Sequence, residues 1–360
     1  MLKKFSFYSL LLLIIFSFFL IFDFILSNTF LKHSHCVNFS EYFYELKKNC
    51  SGKYRFKKSF PLVETYTDEN GFRVGKKNIK KDINKKNIFL FGDSFTYGVG
   101  IEFENTFAGK IANSLNNYNV YNFGVGSYSP TVHLFNLKKS IKENFIPSKI
   151  FIFLDLTDVL DEAERWYYNS NEKKVMLKSN DLYNTANKKK NFKEKNFKLS
   201  KNLISYINYN LRNLRALVKL KTKNQYKVKL SVQGNFTYTE LSRLDPRFWK
   251  PDSFKIGLNN IKENFEEIKL LSKKYNFDVY LVVYPWAETL EYGQERFNWS
   301  KFAMDLCDDK GCNTIDAIPE FLDYKKNNKK WATDLYFLND EHFNIKGANL
   351  LHDIVINYLK

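Results

Sequence analysis

A doubly wound α/β domain built on a parallel sheet is the fold this sequence predicts, and three observations predict it. Apolar runs of five to seven residues at Asn87–Phe91, Asn119–Phe123, Ile150–Leu156 and Val279–Tyr284 are separated by longer stretches that include segments of helical periodicity. Runs that are largely apolar, rather than alternating, mark strands covered by helices on both faces. Glycine follows the first two runs directly, at Gly92 and Gly124, allowing a tight exit where such sheets place their ligands, beyond the carboxyl ends of the strands. Composition agrees: 44% of the 360 residues are apolar and 18% aromatic, with 35 Phe and 23 Tyr. That is far more than a disordered chain carries and ample for a core.

The chain divides into three parts. Residues 1–29 form a cytoplasmic tip and an anchor helix: Lys3 and Lys4 precede a run from Phe5 to Phe22 that is interrupted only by Ser6, Tyr8, Ser9 and Ser17. Those 18 residues approach the length needed to cross a bilayer core. The exit, Phe24-Ile25-Leu26-Ser27-Asn28, lacks the small-residue pair of a cleavage site, so an uncleaved signal anchor is expected. The positive flank would hold the amino end in the cytoplasm and send the remainder across. The expected location is therefore an inner or plasma membrane, single-pass, with the catalytic part extracytoplasmic, periplasmic in a two-membrane envelope. Residues 30–85 read as a polar, irregular lead-in.

Residues 86–360 carry the sheet pattern. Helical stretches are expected at Phe103–Leu115, Leu134–Phe145, Ile256–Lys274 and Ile345–Leu359, and a short last strand at Asn313–Ile315. A basic insertion, about 166–254, interrupts the pattern. Between Asn171 and Leu230 there are 17 Lys or Arg against 3 acids, +14 of the chain's formal +17. The charge is thus local, and an exported chain rarely meets nucleic acid, so no nucleic-acid partner is expected. The insertion reads as a solvated lysine-rich surface, with a docking face for anionic lipid or acidic polysaccharide as the alternative. Leu199–Leu220 within it has helical spacing.

Four cysteines allow three pairings. Local pairing, Cys36 with Cys50 and Cys307 with Cys312, suits a chain exported to an oxidising compartment. Their separations do not make two close pairs of metal ligands, and no histidine stands at ligand spacing, so no metal or other cofactor is expected.

Three segments at strand ends can do chemistry. In Gly92-Asp93-Ser94 the serine falls at the start of a turn or helix, where its hydroxyl is exposed; alone, the tripeptide fits a helix-capping serine equally well. Gly124 lets backbone approach an oxyanion, and turn chemistry explains it just as well. In Asp340-Glu341-His342, just before the last helical stretch, the histidine could take a proton from a serine while the aspartate holds its other ring nitrogen. His133 is a weaker candidate for substrate contact, against a capping or core role. His33, His35 and His352 have no such context.

Together these residues resemble the SGNH/GDSL hydrolase superfamily, in motif order and strand context, over roughly residues 86–165 and 255–360. The chain is similar to membrane-anchored bacterial members of that superfamily that act as glycan O-acetylesterases or O-acetyltransferases. It implies a flavodoxin-like three-layer doubly wound sheet, Ser94 as nucleophile, His342 as base and then acid, and Asp340 as its orienter. It also implies an oxyanion hole from the backbone N–H groups of Ser94 and Gly124. The superfamily's third block usually offers an Asn to that hole; Thr157 stands there instead, between Asp155 and Asp158, and loss of one such donor typically costs about 100-fold or more.

The expected function is that of an extracytoplasmic serine acyl-ester hydrolase or O-acyltransferase acting on a small-molecule or glycan ester. Asp158, Trp286 and His133 are possible substrate contacts, and Trp166, Tyr167 and Tyr168 possible sugar-stacking surfaces. A lipid esterase, or a glycan-binding scaffold with a degenerate site, is the alternative.

Overall fold

The computed structural model describes residues 2–29, 36–56, 60–77, 81–179, 207, 211, 252–294, 297–307, 311–338 and 340–359. Most of the basic insertion, the Leu199–Leu220 spacing included, lies outside the described residues, as do His33 and His35.

Helix α1 spans Leu2–Thr29, and its segment Phe7–Leu26, with mean hydropathy 2.8, is long and apolar enough to cross a membrane. The lead-in is not irregular. It forms two small antiparallel sheets, β1 (Val37–Phe39) with β2 (Tyr44–Leu46), and β3 (Ser51–Tyr54) with β4 (Val63–Thr67) and β5 (Arg73–Val74). Strands of two to five residues are too short to show an alternation in sequence, although β4 buries Val63, Thr65 and Thr67 on one face as a half-buried strand does. A disulfide between Cys36 and Cys50 ties the first sheet to the second.

The main sheet begins with β6 (Lys86–Phe91), followed by α2 (Ser94–Tyr97), α3 (Phe107–Ser114) and β7 (Tyr118–Asn122). Next come α4 (Pro130–Lys142), β8 (Lys149–Leu154), α5 (Leu156–Leu160), a π-helical turn over Asp161–Arg165, and a hairpin of β9 (Trp166–Asn169) and β10 (Lys174–Leu177). The chain is described again through α6 (Ser253–Tyr275), β11 (Asp278–Val283), α7 (Ala287–Tyr292), α8 (Trp299–Cys307) and β12 (Asn313–Asp316). It closes with α9 (Ile318–Asn327), α10 (Trp331–Leu335) and α11 (Ile345–Leu359). A second disulfide, Cys307–Cys312, joins the end of α8 to the approach of β12.

Five strands pair in the order β7-β6-β8-β11-β12, all parallel. This is the flavodoxin-like order, in which the chain reverses direction across the sheet between β6 and β8. Right-handed crossovers then put α3 and α11 in one helical layer and α4, α5 and α6 in the other, and the contacts of α3 with α11 and of α6 with α4 and α5 match that division. The four carboxyl-end residues of β6, β8 and β11 are all buried, save the half-buried Tyr280 at the start of that stretch in β11, which is why these runs read as continuously apolar. Several boundaries differ from the sequence reading by a few residues, and at two of them a cap gives the cause. Helix α3 starts at Phe107 because Thr106 caps it, its Oγ1 accepting from Gly109 N–H at 2.9 Å. Strand β8 stops at Leu154 because Asp155 caps α5.

Candidate active site

The site sits at the switch point, where β6 and its neighbours β7 and β8 end. Gly92 leaves β6, and Asp93 caps the short helix α2 by accepting from Phe95 N–H through Oδ1 at 2.8 Å. Ser94 is thereby the first residue of α2, half-buried, with its hydroxyl presented beyond the sheet. From the far end of the chain, the loop before α11 brings His342 to it: Ser94 Oγ lies 2.7 Å from His342 Nε2, across 248 residues of sequence. Asp340 Oδ1 lies 2.6 Å from His342 Nδ1 and also accepts from His342 N–H at 3.1 Å, a local turn that fixes the ring. Phe95 stacks on the imidazole at 4.7 Å, and Phe56 meets it edge-on at 5.2 Å.

The electrostatics follow from burial. His342 is 4% exposed, and burial alone pushes its pKa down. The hydrogen bond to Asp340 and the charges of Glu341 and Asp340 more than reverse this, so the net direction is up from 6.5. Behind Ser94, burial holds Asp155 and Asp158 well above the usual carboxylate range, and it pushes Asp161 up to about 6 despite the ion pair with Arg165. Asp340, Glu341 and His342 offer ligand atoms close enough for a cation, but both ring nitrogens of His342 are already engaged, Nδ1 by Asp340 and Nε2 by Ser94.

Gly124 and Thr157 do not serve as oxyanion donors in this structure. Gly124 N–H donates to Asn122 Oδ1 at 2.8 Å. Thr157 donates through both its N–H and its hydroxyl to Asp155 Oδ1, at 2.6 and 3.1 Å, as part of the α5 cap. Gly126 is the glycine beside the nucleophile: a Cβ built on it would lie 3.9 Å from Ser94 Cβ, and among the described residues its N–H has no acceptor. The role of Gly124 is steric. A Cβ there would stand 2.6 Å from Tyr97 N and 2.7 Å from Thr96 C, the backbone of α2 itself. Gly124→Ala is therefore expected to cost about 1–3 kcal/mol by overpacking and to displace Ser94, seen as a lower unfolding midpoint together with slower modification of the serine.

The three residues expected to touch substrate are buried instead. His133 is 0% exposed against the Phe91 ring, and burial pushes its pKa down to about 3, only partly offset by the Gly92 backbone. Asp158 caps α5 by accepting from Asp155 N–H through Oδ2 at 2.7 Å. Trp286 donates its indole N–H to Asp155 Oδ2 at 3.2 Å. Of the other aromatic candidates, Trp166 is buried and donates to the Ser127 carbonyl at 2.6 Å, while Tyr167 and Tyr168 on β9 are exposed. His352 lies on the α11 surface, bonded to Ser114 and Asp353.

Phe56 and Phe60, the latter edge-on to the His342 ring at 6.3 Å, carried no motif by which sequence could have singled them out. Asp93 did, since it is the middle residue of Gly92-Asp93-Ser94.

No protein-family model matches the sequence, and no curated protein matches it. Solved structures do resemble it. The acetyl xylan esterase AlAXEase aligns over 76% of this chain and 100% of its own, at 14% identity and TM-score 0.41. A catalytic mutant of Axe2, an acetylxylan esterase from Geobacillus stearothermophilus, covers 78% of this chain and 95% of its own at 12% identity and TM-score 0.39. A member of the lipolytic protein G-D-S-L family from Veillonella parvula covers 76% of this chain and 97% of its own at 11% identity and TM-score 0.40. The geometry of the side chains, not these likenesses, bears on the chemistry.

Proposed function

We propose that this chain is a serine acyl-ester hydrolase or O-acyltransferase of the SGNH type, tethered by α1 and working outside the cytoplasm on a glycan ester. The observation that carries the reading is the unbroken chain Ser94 Oγ, His342 Nε2, His342 Nδ1, Asp340 Oδ1, with links of 2.7 and 2.6 Å across the ring. That arrangement is what nucleophilic catalysis needs: a hydroxyl, a base in reach of it, and a carboxylate that fixes the base's tautomer. Ser94 Oγ bonds to the ester carbonyl carbon as the carbonyl electron pair moves onto oxygen, and the hydroxyl proton passes to His342 Nε2. The N–H groups of Ser94 and Gly126 receive the oxyanion. Collapse expels the alcohol, which takes the proton from His342, and water or a sugar hydroxyl then resolves the acyl-enzyme.

The close surroundings favour a small acyl group such as acetyl. Phe95, Val99, Phe107 and Phe343 line the space beside Ser94 and His342. Export is supported by the N-terminal apolar helix and by two disulfides. The domain reading is a tether (1–29), a lead-in (30–85) and one catalytic unit (86–360) with the insertion at about 166–254.

A fluorophosphonate probe should label the full-length protein at Ser94, and Ser94→Ala should abolish the label. Because His342 must be neutral to accept the proton and its pKa is raised, the labelling rate should climb with pH to a half-maximum above 6.5. Folded protein that takes no label would count against nucleophilic catalysis. With an acetylated donor and a glycan acceptor, free acetate marks the hydrolase and acetyl-glycan the transferase.

A further inference from the structure

Ser94 Oγ stands between two groups, His342 Nε2 at 2.7 Å and Asp93 Oδ2 at 3.1 Å. A hydroxyl carries one proton. With the Nδ1 proton directed to Asp340, Nε2 of a neutral His342 is an acceptor, so the Ser94 proton goes there and none remains for Asp93. Oδ2 must then either face the Oγ lone pairs as an anion or bring a proton of its own. Resting on the reading of Ser94 as nucleophile, we propose that Asp93 is a protonated acid in the resting site, donates through Oδ2 to Ser94 Oγ, and is a further catalytic residue.

Asp93 has the bonding pattern of a neutral carboxylic acid. Its Oδ1 accepts from Phe95 N–H at 2.8 Å, as a C=O does, while Oδ2 lies 3.1 Å from Ser94 Oγ, a contact that a hydroxyl proton would fill from the serine side unless that proton is committed to His342. The side chain is 2% exposed. The titratable groups that face it are Asp155 at the end of β8, Asp158 on α5, Asp161 in the π-helical turn, Tyr284 just past β11, and His342 from the loop before α11. Ionising Asp93 would place a negative charge in a buried site, and burial is the largest cause of its raised pKa. That rise is opposed in part by Phe95 N–H, by the charge of His342 and by the hydrogen bonds of Ser94.

One competing arrangement holds the same number of protons: an imidazolium at His342 donating to Oγ, and Oγ donating to ionised Asp93. In it the serine proton points away from the base, and the base is already protonated, so attack stalls. In the proposed arrangement the Oγ proton passes to Nε2 as Oγ bonds to carbon, and the Asp93 proton stays on Oδ2. When water later expels Oγ from the acyl-enzyme, that same O–H stabilises the departing oxygen, which takes its proton from His342. A neutral Asp93 also adds no negative charge beside the forming oxyanion.

Asparagine reproduces the proposed pattern, its Oδ1 accepting from Phe95 N–H and its Nδ2 donating to Oγ. The test uses full-length protein in detergent micelles. A difference infrared spectrum at pH 7, wild type minus Asp93→Asn, should show loss of a protonated-carboxyl C=O stretch; loss of a carboxylate band instead overturns the proposal. Fluorophosphonate labelling should fall about tenfold or more in Asp93→Ala and clearly less in Asp93→Asn, which keeps a donor to Oγ. The wild-type rate should decline at alkaline pH as Asp93 ionises, and the Asn variant should lack that limb. A wild type that labels normally beside an Asn variant as slow as the Ala variant would assign Asp93 an anionic role and sink the idea. If wild type takes no label, the nucleophile reading falls, and the infrared band alone still decides where the proton is.

Discussion

Asp340→Asn is expected to lower turnover of a small acetyl ester by about 10⁴-fold while leaving the unfolding midpoint nearly unchanged. Asp340 Oδ1 takes both the ring Nδ1–H and the backbone N–H of His342, so it sets which ring nitrogen carries the proton. An amide that turns its NH₂ toward Nδ1 stabilises the opposite tautomer, with the proton on Nε2, where it blocks transfer from Ser94. Among the described residues Glu341 is the nearby group that could compensate, with Oε1 3.6 Å from Nδ1, beyond good hydrogen-bond range. The Glu341→Gln variant is therefore the control and should stay within about tenfold of wild type. Steady-state kinetics with a chromogenic acetyl ester reads both. Near-normal turnover in Asp340→Asn would remove Asp340 from the mechanism, and a collapse confined to Glu341→Gln would transfer its role to Glu341.

The sheet was legible because burial on both faces leaves an unbroken apolar run, and Ile88 to Phe91 and Ile150 to Leu154 are such runs. The candidate triad was legible for a different reason: each of its residues falls just beyond a strand or just before a helix, where topology gathers chemistry from distant parts of the chain. The donors were harder to read. Whether a glycine N–H or a threonine hydroxyl faces a cleft depends on which local cap claims it, and Asn122 and Asp155 claim those of Gly124 and Thr157. Aromatics near strand ends misled in the same way, since Trp286 and Trp166 are held inward by single hydrogen bonds of their indole N–H groups. The lead-in was illegible because its strands are short and its packing is with the main domain. Phe60, 0% exposed, lies 4.4 Å from Phe337, a contact between distant parts of the chain that no local pattern announces.

Arg73→Met should be the most destabilising single change in the lead-in, at about 3–5 kcal/mol. Arg73 on β5 is 1% exposed, and the hydrogen bonds of its guanidinium go to backbone carbonyls. Nη1 donates to the carbonyls of Tyr97 and Gly98, Nη2 donates to that of Ile101 at 2.7 Å, and the group lies over the Tyr97 ring at 4.4 Å. Tyr97 and Gly98 end the helix that Ser94 begins, so a residue from outside the main sheet closes the far end of the nucleophile's support. Methionine fills much of the volume but leaves three buried carbonyls without these donors, each worth about 1–3 kcal/mol when unsatisfied. Lysine keeps the charge but is a point donor that cannot span all of them, so Arg73→Lys should fall between. At about 2–4 °C per kcal/mol for a domain of this size, the Met variant should unfold about 10 °C lower. A second readout separates stability from positioning: below its own midpoint, the folded Met variant should label at Ser94 several-fold more slowly than wild type. A midpoint within about 2 °C of wild type would show that the lead-in only rests on the catalytic unit, whereas the expected loss of both midpoint and labelling makes residues 36–77 part of the active site's framework.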